Sequence, residues 1–278
     1  MRTFDGRVVV ITGAASGIGR ALAVELAGRG ARLAVSDIDE PGLAETVAAA
    51  RAAGAVDVHA RRLDVSDAAA LASYAAEVRD HFGRVHVFVA NAGVALSGEL
   101  GALEQADIEW IVGVNLWGVL HGIRAFLPHL IASGEGHVVT LSSLFGLVAM
   151  PGQSIYNATK FAVRGLSEAL REELLVAGHP VGVTVVHPGG IRTAIARNAR
   201  VAGSVDHAAN AALFDTRLAR MSPERAAQVI VRGVLAGKPR VLVGIDAHAV
   251  HQFARLVGPR YQDVLALLAR LDPTRAPR

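Results

Sequence analysis

Short runs of β-branched residues alternate along this chain with longer stretches rich in alanine and leucine, whose apolar positions recur at helical spacing. The pattern predicts seven strands, at residues 7–12, 32–36, 56–61, 85–90, 137–141, 181–186 and 240–243. It predicts helices at residues 17–28, 41–53, 67–82, 106–132 and 155–177, and one more that begins at the N-cap Ser222. Apolar strands that alternate with helices form a parallel sheet covered on both faces. Right-handed connections then give a doubly wound α/β fold.

Two more helical stretches follow the last predicted strand, at residues 248–256 and 261–271, and an end rich in arginine and proline follows them. We therefore expect one doubly wound domain over residues 1–246 and a C-terminal helical extension over residues 247–278 that packs on it. Ligands of such sheets bind beyond the carboxyl ends of the strands. The residues that follow each strand are therefore the first candidates for a functional site.

Composition narrows the classes of function. The chain has 278 residues and no cysteine, which excludes disulfides, thiolate metal sites and cysteine nucleophiles. Its 11 histidines show no spacing typical of metal ligands, so we expect no metal. The net charge is +3, but the basic residues are scattered, so we expect no nucleic-acid partner. The N-terminus lacks the features of a secretory signal and no apolar run reaches spanning length. We therefore expect a cytoplasmic protein without an integral membrane segment.

A glycine-rich turn, Thr-Gly-Ala-Ala-Ser-Gly-Ile-Gly, occupies residues 12–19 directly after the first predicted strand. Gly13 suits a tight turn, Gly17 would let the backbone approach a pyrophosphate, and Gly19 would allow close packing of the helix on the strand. The N-terminus of that helix offers amide groups to an anion. Glycines alone would also fit an ordinary turn. Because strand, turn and helix come in this order, the motif predicts a dinucleotide-binding site.

This glycine spacing, with five motifs further along, resembles the classical short-chain dehydrogenase/reductase family between about residue 5 and residue 244. The five motifs are Asn91-Ala92-Gly93, Asn115, Ser142-Ser143, Tyr156 with Lys160, and Pro188-Gly189. The resemblance implies a Rossmann-type fold and an oxidoreductase that interconverts an alcohol and a ketone with a nicotinamide cofactor. It implies cofactor contacts from the glycine turn and from the residues after later strands, namely Gly13, Ser16, Gly17, Ile18, Gly19, Asn91, Ala92, Gly93, Tyr156, Lys160, Pro188, Gly189, Ile191 and Thr193.

The residue that closes the second strand bears on the choice between NAD and NADP. A carboxylate at Asp37 can accept hydrogen bonds from the adenosine ribose and would repel the 2′-phosphate of NADP. NADP-preferring members of the family tend to carry a basic residue where this chain has Ile38 or Ser16. We therefore expect NAD. A helix cap is the alternative role for Asp37, although Asp39 could fill it.

After the third strand, Asp64 and Val65 resemble the adenine-contacting pair of the family. A simple strand-to-helix turn is the alternative for Asp64. After the sixth strand, Pro188, Gly189 and Ile191 would by resemblance line the nicotinamide, with Thr193 holding its carboxamide. His187, just before them, is expected to be a strand-end histidine with a satisfied hydrogen bond rather than a general base.

Tyr156 and Lys160 are four residues apart and so share one face of a helix. A neighbouring ammonium and an oxidised nicotinamide would lower the pKa of the phenol from its usual value of about 10, toward the range where it can transfer protons. Only two of the 28 basic residues are lysines, which fits a task that a guanidinium would not serve. A surface pair is the alternative for this spacing taken alone.

The resemblance assigns three further roles. Ser143 would orient the substrate oxygen, with Ser142 as the competing serine. Asn115 would hold a water that relays protons from Lys160, and a hydrogen bond between helices is the alternative. Apolar candidates for the substrate pocket include Phe145, Ile195 and Phe214, which favour a hydrophobic secondary alcohol or ketone, although they could also fill the core.

The segment 193–221 has few large apolar residues and is expected to act as a substrate lid. Many relatives end in an Asp-Gly-Gly tail that helps to build a tetramer, and this chain has a different end. We expect a homodimer or homotetramer. The rival functions are an NADPH-dependent carbonyl or 3-oxoacyl reductase, and a non-catalytic nucleotide-binding regulator. The regulator would not need Ser143, Tyr156 and Lys160 together.

Overall fold

The computed structural model describes residues 1–203 and 205–270, with the side chains at positions 210, 211, 215 and 217 left aside. Within these ranges the strands, numbered β1 to β9 in chain order, are Val8–Thr12, Arg32–Asp37, Val58–Arg62, Val87–Ala90, Leu96–Ser97, Gly136–Leu141, Val181–Pro188, Arg200–Val201 and Arg240–Val243. The α-helices of the same ranges, numbered α1 to α10, are Gly17–Ala27, Glu40–Ala52, Ala68–Phe82, Gln105–Val112, Gly118–Ala132, Ser154–Val176, His207–Leu213, Pro223–Leu235, Ile245–Val257 and Tyr261–Arg270.

Seven of the strands form one parallel sheet in the order β3-β2-β1-β4-β6-β7-β9. The strand order reverses between β1 and β4, so the chain winds outward in both directions from the middle of the sheet. This is the doubly wound, Rossmann-type fold that the alternating pattern predicts. All seven predicted strands are present, with ends within two residues of the expected positions.

Apolar side chains cover both faces of the sheet. On one face α1, α2 and α8 contribute a cluster that includes Leu22, Leu43 and Ile230, and on the other α3, α5 and α6 contribute one that includes Tyr74 and Phe126. The central strand β1 is buried along its whole length, which is why it carries no alternation of polar and apolar residues.

Several helix starts follow from capping residues. The side chains of Asp39, Asp67 and Ser222 accept hydrogen bonds from the first turns of α2, α3 and α8, and Pro223 occupies the first turn of α8. The N-cap predicted at Ser222 is therefore correct. Gly83, with φ of 78°, ends α3 in the left-handed conformation that glycine adopts without strain.

The predicted helix at 106–132 contains a feature that periodicity does not show. A π-turn at Gly113–Trp117 separates α4 from α5 within one continuous helix. The amide of Gly118 donates to the carbonyl of Gly113, one residue further back than in an α-helix. Asn115 lies in this turn, which reorients its side chain relative to a regular helix.

This long helix, Gln105–Ala132, is the one stretch of the described residues with the length and apolar composition to cross a membrane, which the sequence analysis did not expect. The core helix of a soluble protein has the same properties. Phe126 stacks on Phe88 of the sheet with ring centroids 4.8 Å apart, and it meets Tyr74 edge-on. This packing accounts for the apolar composition, so the length of the helix is only weak support for a membrane span.

The segment after β7 has more structure than the expected lid. Arg200–Val201 pairs in parallel with Leu96–Ser97, and α7 continues into a π-turn at Phe214–Leu218. The C-terminal extension also differs in its bounds, because α9 already begins at Ile245. Helix α10 ends at Arg270, and the predicted last residue of this helix, Leu271, lies outside the described residues together with the arginine- and proline-rich end.

Candidate active site

The glycine turn lies at the carboxyl end of β1, beside the end of β4. Gly13 has a φ of 67°, and a Cβ on it would come within 2.6 Å of the Ala92 Cα. A Cβ on Gly19 would overlap the carbonyl oxygen of Gly13. Both positions therefore need glycine, the first for its backbone conformation and for space, the second for the close approach of helix and turn.

Side chains from neighbouring strands fix the shape of this turn. The Asn91 amide nitrogen donates to the carbonyls of Thr12 and Gly13 at 3.0 and 2.8 Å. The Thr12 hydroxyl accepts from the backbone amides of Asn91 and Ala92. Asn91 was expected among the cofactor contacts; the structure shows its side chain joining β1 to the end of β4. Arg20, which sequence analysis did not single out, donates to the carbonyl of Ala15 in the same turn.

Asp37, at the end of β2, is also part of this support. Its Oδ2 accepts from the amide of Ala15 at 2.9 Å and its Oδ1 from the amide of Asp39 at 3.1 Å. Asp39 accepts a hydrogen bond from the amide of Gly42 and is therefore the N-cap of α2. The alternative role of Asp37 as a helix cap does not apply. The neighbouring Ile38 is 60% exposed and carries no charge.

The loop after β3 contains Asp64, for which the alternatives are an adenine contact and a simple turn residue. Asp64 Oδ1 accepts from both the amide and the hydroxyl of Ser66, as a turn residue does. Val65 is buried, and a Cβ on Gly118 of α5 would lie 2.6 Å from its Cγ2. In the structure, Asp64 therefore stabilises the turn, and Val65 packs against α5.

The residues of this end fit the diphosphate of a dinucleotide. Helix α1 has no acidic residue in its first turn, and the exposed Ser16 at its N-cap makes no capping hydrogen bond through its side chain. Ile18 follows in that turn, and a Cβ on Gly17 would meet the methyl group of Thr193 at 3.0 Å. The start of α1 thus lies beside Thr193 of the loop after β7, and the free amide groups of a helix start suit an anion.

At the other end of the cleft, α6 holds Tyr156 against the end of β6. The phenol is buried, with its ring edge-on to Phe145 at 6.2 Å between centroids, and its hydroxyl interacts with that of Ser143. Burial raises the pKa of Tyr156, and the Ser143 hydrogen bond partly offsets this. Without cofactor the pKa of this phenol is therefore raised rather than lowered, because desolvation of the phenolate is the largest effect and Lys160 does not offset it.

Lys160 is buried one helical turn further along α6. Its Nζ donates to the carbonyl of Leu141 at 3.1 Å and lies 5.7 Å from the centroid of the Tyr156 ring. Burial lowers the pKa of Lys160 to about 8. A Cβ on Gly93 would lie 3.3 Å from this Nζ and 3.4 Å from Oδ1 of Asn115, so the two side chains approach the same small residue.

The two serines after β6 have different partners. Ser142 is buried, and its hydroxyl donates to the carbonyl of Lys160 at 2.8 Å. Ser143 turns its hydroxyl toward Tyr156, and this oxygen also accepts from the amide of Phe145 at 3.1 Å. The fully buried His187 has Nδ1 2.8 Å from the carbonyl oxygen of Ser143. Burial lowers the pKa of His187 to about 4, so it is neutral and donates this hydrogen bond, as expected for a strand-end histidine.

The side chain of Asn115 hydrogen-bonds to protein atoms on two segments of the chain. Its Oδ1 accepts from the amide of Val94 at 2.8 Å, and its Nδ2 donates to the carbonyl of Val94 at 2.9 Å and to the Thr159 hydroxyl at 3.4 Å. The bond to Thr159 is the hydrogen bond between helices that sequence analysis left open. The relay role of Asn115 stays a prediction, since its Oδ1 keeps a second lone pair that a water could use.

An apolar cluster surrounds the Tyr156 ring. It comprises Leu96, Ile111 and Tyr156, with Phe145, Ile155, Trp110, Leu103, Val94 and Ala95 packed against them. Of the three residues expected to contact substrate, Phe145 lies in this cluster. Ile195 and Phe214 are half-buried in the segment after β7 and are not part of it.

The loop between Ser143 and α6 depends on a residue that sequence analysis missed. Asn157 donates through Nδ2 to the carbonyls of Phe145 and Val148 and accepts through Oδ1 from the amide of Met150. A buried amide directly after Tyr156 was the available signal, since a buried amide needs several partners. Gln153 adds a hydrogen bond to Ser97 of β5.

The loop after β7 closes the cleft. Pro188 is the last residue of β7, and Ile191 is buried and forms a bridge with Met221. Gly189 lies against the carboxylate of Asp246, and Thr193 faces Gly17. The ends of β1, β4, β6 and β7 thus bring the glycine turn, Tyr156 with its neighbours, and this loop to one edge of the sheet.

Comparison with known proteins agrees with this arrangement. The family model described as short chain dehydrogenase matches residues 7–202. SadH of Mycobacterium tuberculosis, named provisionally as an oxidoreductase, is 56% identical over 266 residues, which cover 96% of each chain. The C alpha-dehydrogenase of a Sphingobium species is 34% identical over 89% of this chain and 86% of its own. A short-chain dehydrogenase/reductase from Burkholderia phymatum, crystallised with NAD, is 33% identical, with a TM-score of 0.85 over 100% of this chain and 99% of its own.

The family model and these relatives match this chain in sequence as well as in fold. The chain belongs to the short-chain dehydrogenase/reductase family, as an oxidoreductase that acts on CH–OH groups.

Proposed function

We propose that this enzyme interconverts a hydrophobic secondary alcohol and its ketone with NAD(H), and that Tyr156 is its acid and base. The observation that carries the proposal is the hydroxyl of Tyr156 beside that of Ser143, with the Lys160 ammonium 5.7 Å from the phenol ring. These two adjacent hydroxyl groups can both hydrogen-bond to one substrate oxygen. The phenol of Tyr156 also lies close to the titratable ammonium of Lys160.

In the oxidation direction, Ser143 and Tyr156 hydrogen-bond the alcohol oxygen, and Tyr156 takes its proton. Bound NAD⁺ supplies the hydride acceptor for the carbinol carbon, so that the alcohol loses a hydride and a proton and becomes a ketone. Lys160, fixed by Leu141, stabilises the phenolate that forms and would hold the nicotinamide ribose. In the reduction direction, Tyr156 returns the proton to the alkoxide oxygen.

The choice of NAD over NADP rests on Asp37. Its carboxylate has no cationic side chain beside it at Ile38, and its oxygens keep further lone pairs for ribose hydroxyls. The Burkholderia relative was crystallised with NAD, which supports the same choice. The glycine turn with Ser16 and Ile18, the strand ends at Asp64, Val65, Asn91, Ala92 and Gly93, and the loop with Pro188, Gly189, Ile191 and Thr193 would form the rest of the cofactor site.

A hydrophobic substrate is favoured by the surroundings of the reacting hydroxyl groups. Phe145, Leu96 and Ile155 present only carbon atoms next to Tyr156, so a sugar would find few partners for its hydroxyl groups there. We propose that Ile195 and Phe214 reach the substrate from the segment after β7.

We also propose a cytoplasmic homodimer that uses the long helix and α6. Trp117 is 49% exposed and Phe161 38% exposed on these two helices, so each offers apolar surface that a second copy could cover. Residues 1–246 would form the catalytic domain and the remainder a helical extension on it.

Tyr156→Phe is the direct test of the mechanism. It keeps the ring and removes the hydroxyl, so we expect turnover to fall by about a thousandfold or more, with NADH affinity within about threefold because the cofactor contacts remain. Tyr74→Phe, in the core between α3 and the sheet and outside the apolar cluster around Tyr156, is the matched control and should keep full turnover. Turnover of Tyr156→Phe within tenfold of the parent would contradict the assignment.

A screen of secondary alcohols and ketones with both cofactors separates the rivals. We expect the highest kcat/KM for an apolar alcohol with NAD⁺. A preference for NADPH would favour the carbonyl reductase. Tight NADH binding without turnover on any compound of the panel would favour the regulator.

A further inference from the structure

Asp246 lies in the first turn of α9, and its carboxylate contacts the loop after β7. Its Oδ2 accepts a hydrogen bond of 2.6 Å from the amide of Gly190 in the loop after β7. Asp246 is partly buried, and a carboxylate at a helix start is favoured by the dipole of that helix. A short bond to a charged acceptor is among the stronger hydrogen bonds of a protein.

Two glycines from separate segments leave space for this one carboxylate. A Cβ on Gly189 would overlap three atoms of the Asp246 side chain, and a Cβ on Gly244 would overlap its Oδ1. Gly244 also has a φ of 110°, which a side chain would disfavour. Gly189 and Gly244 thus leave room for the carboxylate of Asp246, and the amide of Gly190 donates a hydrogen bond to it.

Gly190 in turn connects the loop to the end of the segment 193–221. Its carbonyl accepts from the amides of Arg220 and Met221 at 3.1 and 3.2 Å, and a Cβ on it would overlap the carbonyl of Leu218. The amide of Arg192 donates to the carbonyl of Met221. The backbone of residues 190–192 is thus held between α9 on one side and the end of that segment on the other.

The extension touches the opposite wall of the site as well. The Tyr261 hydroxyl, in the first turn of α10, accepts from the amide of Ala149 at 3.0 Å. Ala149 belongs to the loop between Ser143 and Tyr156. The C-terminal helices therefore bond to both loops that flank the reacting groups.

We propose that Asp246 is a positioning residue for the nicotinamide end of the cofactor, and that the C-terminal extension is part of the active-site frame. Asp246 holds Gly190, and so sets the backbone of Pro188, Gly189 and Ile191 against which the nicotinamide would lie. Tyr261 sets the loop that follows Ser143. The proposal rests on the proposed function, since it assumes a nicotinamide cofactor in this cleft.

The test separates the two halves of the cofactor and needs no substrate. Calorimetry would measure the Kd of NADH and of ADP-ribose, which lacks the nicotinamide, for the full chain and for Asp246→Ala. Losing the acceptor leaves the Gly190 amide without its partner, so we expect the Kd of NADH to rise about tenfold. The Kd of ADP-ribose should stay within about twofold, because the glycine turn is not touched.

Two further variants keep the result interpretable. Asp246→Asn retains an acceptor oxygen for Gly190, so its Kd for NADH should stay within about threefold of the parent. Asp263→Asn, exposed on α10, is the matched control and should change neither Kd. In Asp246→Ala, unchanged NADH affinity, or an equal loss for NADH and ADP-ribose, would overturn the proposal. A parent chain that binds neither ligand would instead contradict the proposed function.

The Tyr261 contact has its own readout. Tyr261→Phe removes the acceptor for the Ala149 amide, so hydrogen exchange in the peptide around residues 145–152 should become about fivefold faster. The peptides of the glycine turn should be unchanged. Equal exchange in parent and variant around Ala149 would show that the extension does not hold this loop.

Discussion

The two ends of the cleft are built in opposite ways. At the glycine turn, the polar side chains have backbone partners: Asn91 on Thr12 and Gly13, and Asp37 on Ala15. At the other end, Tyr156 and Lys160 are buried with few hydrogen-bond partners. Burial raises the pKa of Tyr156 and lowers the pKa of Lys160, so it favours the neutral form of each. The first end has a fixed shape, and the second has groups whose protonation responds to a nearby charge.

This difference assigns separate tasks to the two ends. A fixed backbone cradle costs little reorganisation when an anion binds, which suits recognition of a cofactor. A buried phenol and ammonium are destabilised in their charged forms, so a positive ring placed beside them has a large effect on the phenol. Substitutions at the first end should therefore change binding, and substitutions at the second should change turnover.

The largest effect is expected at Lys160. Lys160→Met keeps the length of the side chain and removes the charge that stabilises the phenolate, so kcat should fall by about a thousandfold. Lys238→Met is the matched control, because it removes the chain's only other lysine, and it should keep parental activity. If Lys160→Met weakened NADH binding strongly but kept the parental kcat at saturating cofactor, the division of tasks between the two ends would be wrong.

Gly19→Ala should have the next largest effect, on binding. The new Cβ would overlap the carbonyl of Gly13, so the turn must move, and we expect NADH affinity to fall about a hundredfold. Gly101→Ala, exposed in the turn Leu100–Ala102 with no atom within 4 Å of the added Cβ, is the control. It should keep the parental affinity for NADH. Parental NADH affinity in Gly19→Ala would show that the turn does not hold the cofactor.

Asp37 gives the smallest effect and sharpens the comparison within the first end. Asp37→Asn removes the charge and keeps one of the two acceptor oxygens, so the ratio of kcat/KM for NADPH over NADH should rise about tenfold, and the Tm should fall less than in Asp37→Ala. Asp37→Ala should also lower the Tm, because two backbone amides lose their partner. A parent that already prefers NADPH would contradict our interpretation of this carboxylate.

The sheet could be predicted from sequence because most of its strands are short apolar runs and the helices between them are longer and amphipathic, so period and length both distinguish strands from helices. The π-turn at Gly113–Trp117 and the pairing of Leu96–Ser97 with Arg200–Val201 could not. A single extra residue in a helix hardly disturbs its period, and two-residue strands carry no period at all. Both depend on contacts that form only in the folded chain.

Motif spacing located the candidate site residues, but it did not show which polar groups build the site. Asn91 and Asn115 were expected to serve the cofactor and a water, and the structure shows their side chains holding backbone groups. Asp246 and Tyr261 lie beyond the resemblance: sequence analysis made Asp246 the last residue of the sheet domain and placed Tyr261 in a helix expected to pack on that domain. Their partners, Gly190 and Ala149, are backbone amides, which leave no trace in residue type.

The most direct measurement of the central claim is the titration of Tyr156 itself. The chain has three tyrosines, so the ultraviolet absorbance of the parent minus that of Tyr156→Phe follows this one phenol. Without cofactor, burial should keep its pKa above the usual value of about 10. With saturating NAD⁺, the positive ring should lower it by about 1–3 units. A pKa of Tyr156 that does not change when NAD⁺ binds would contradict the account.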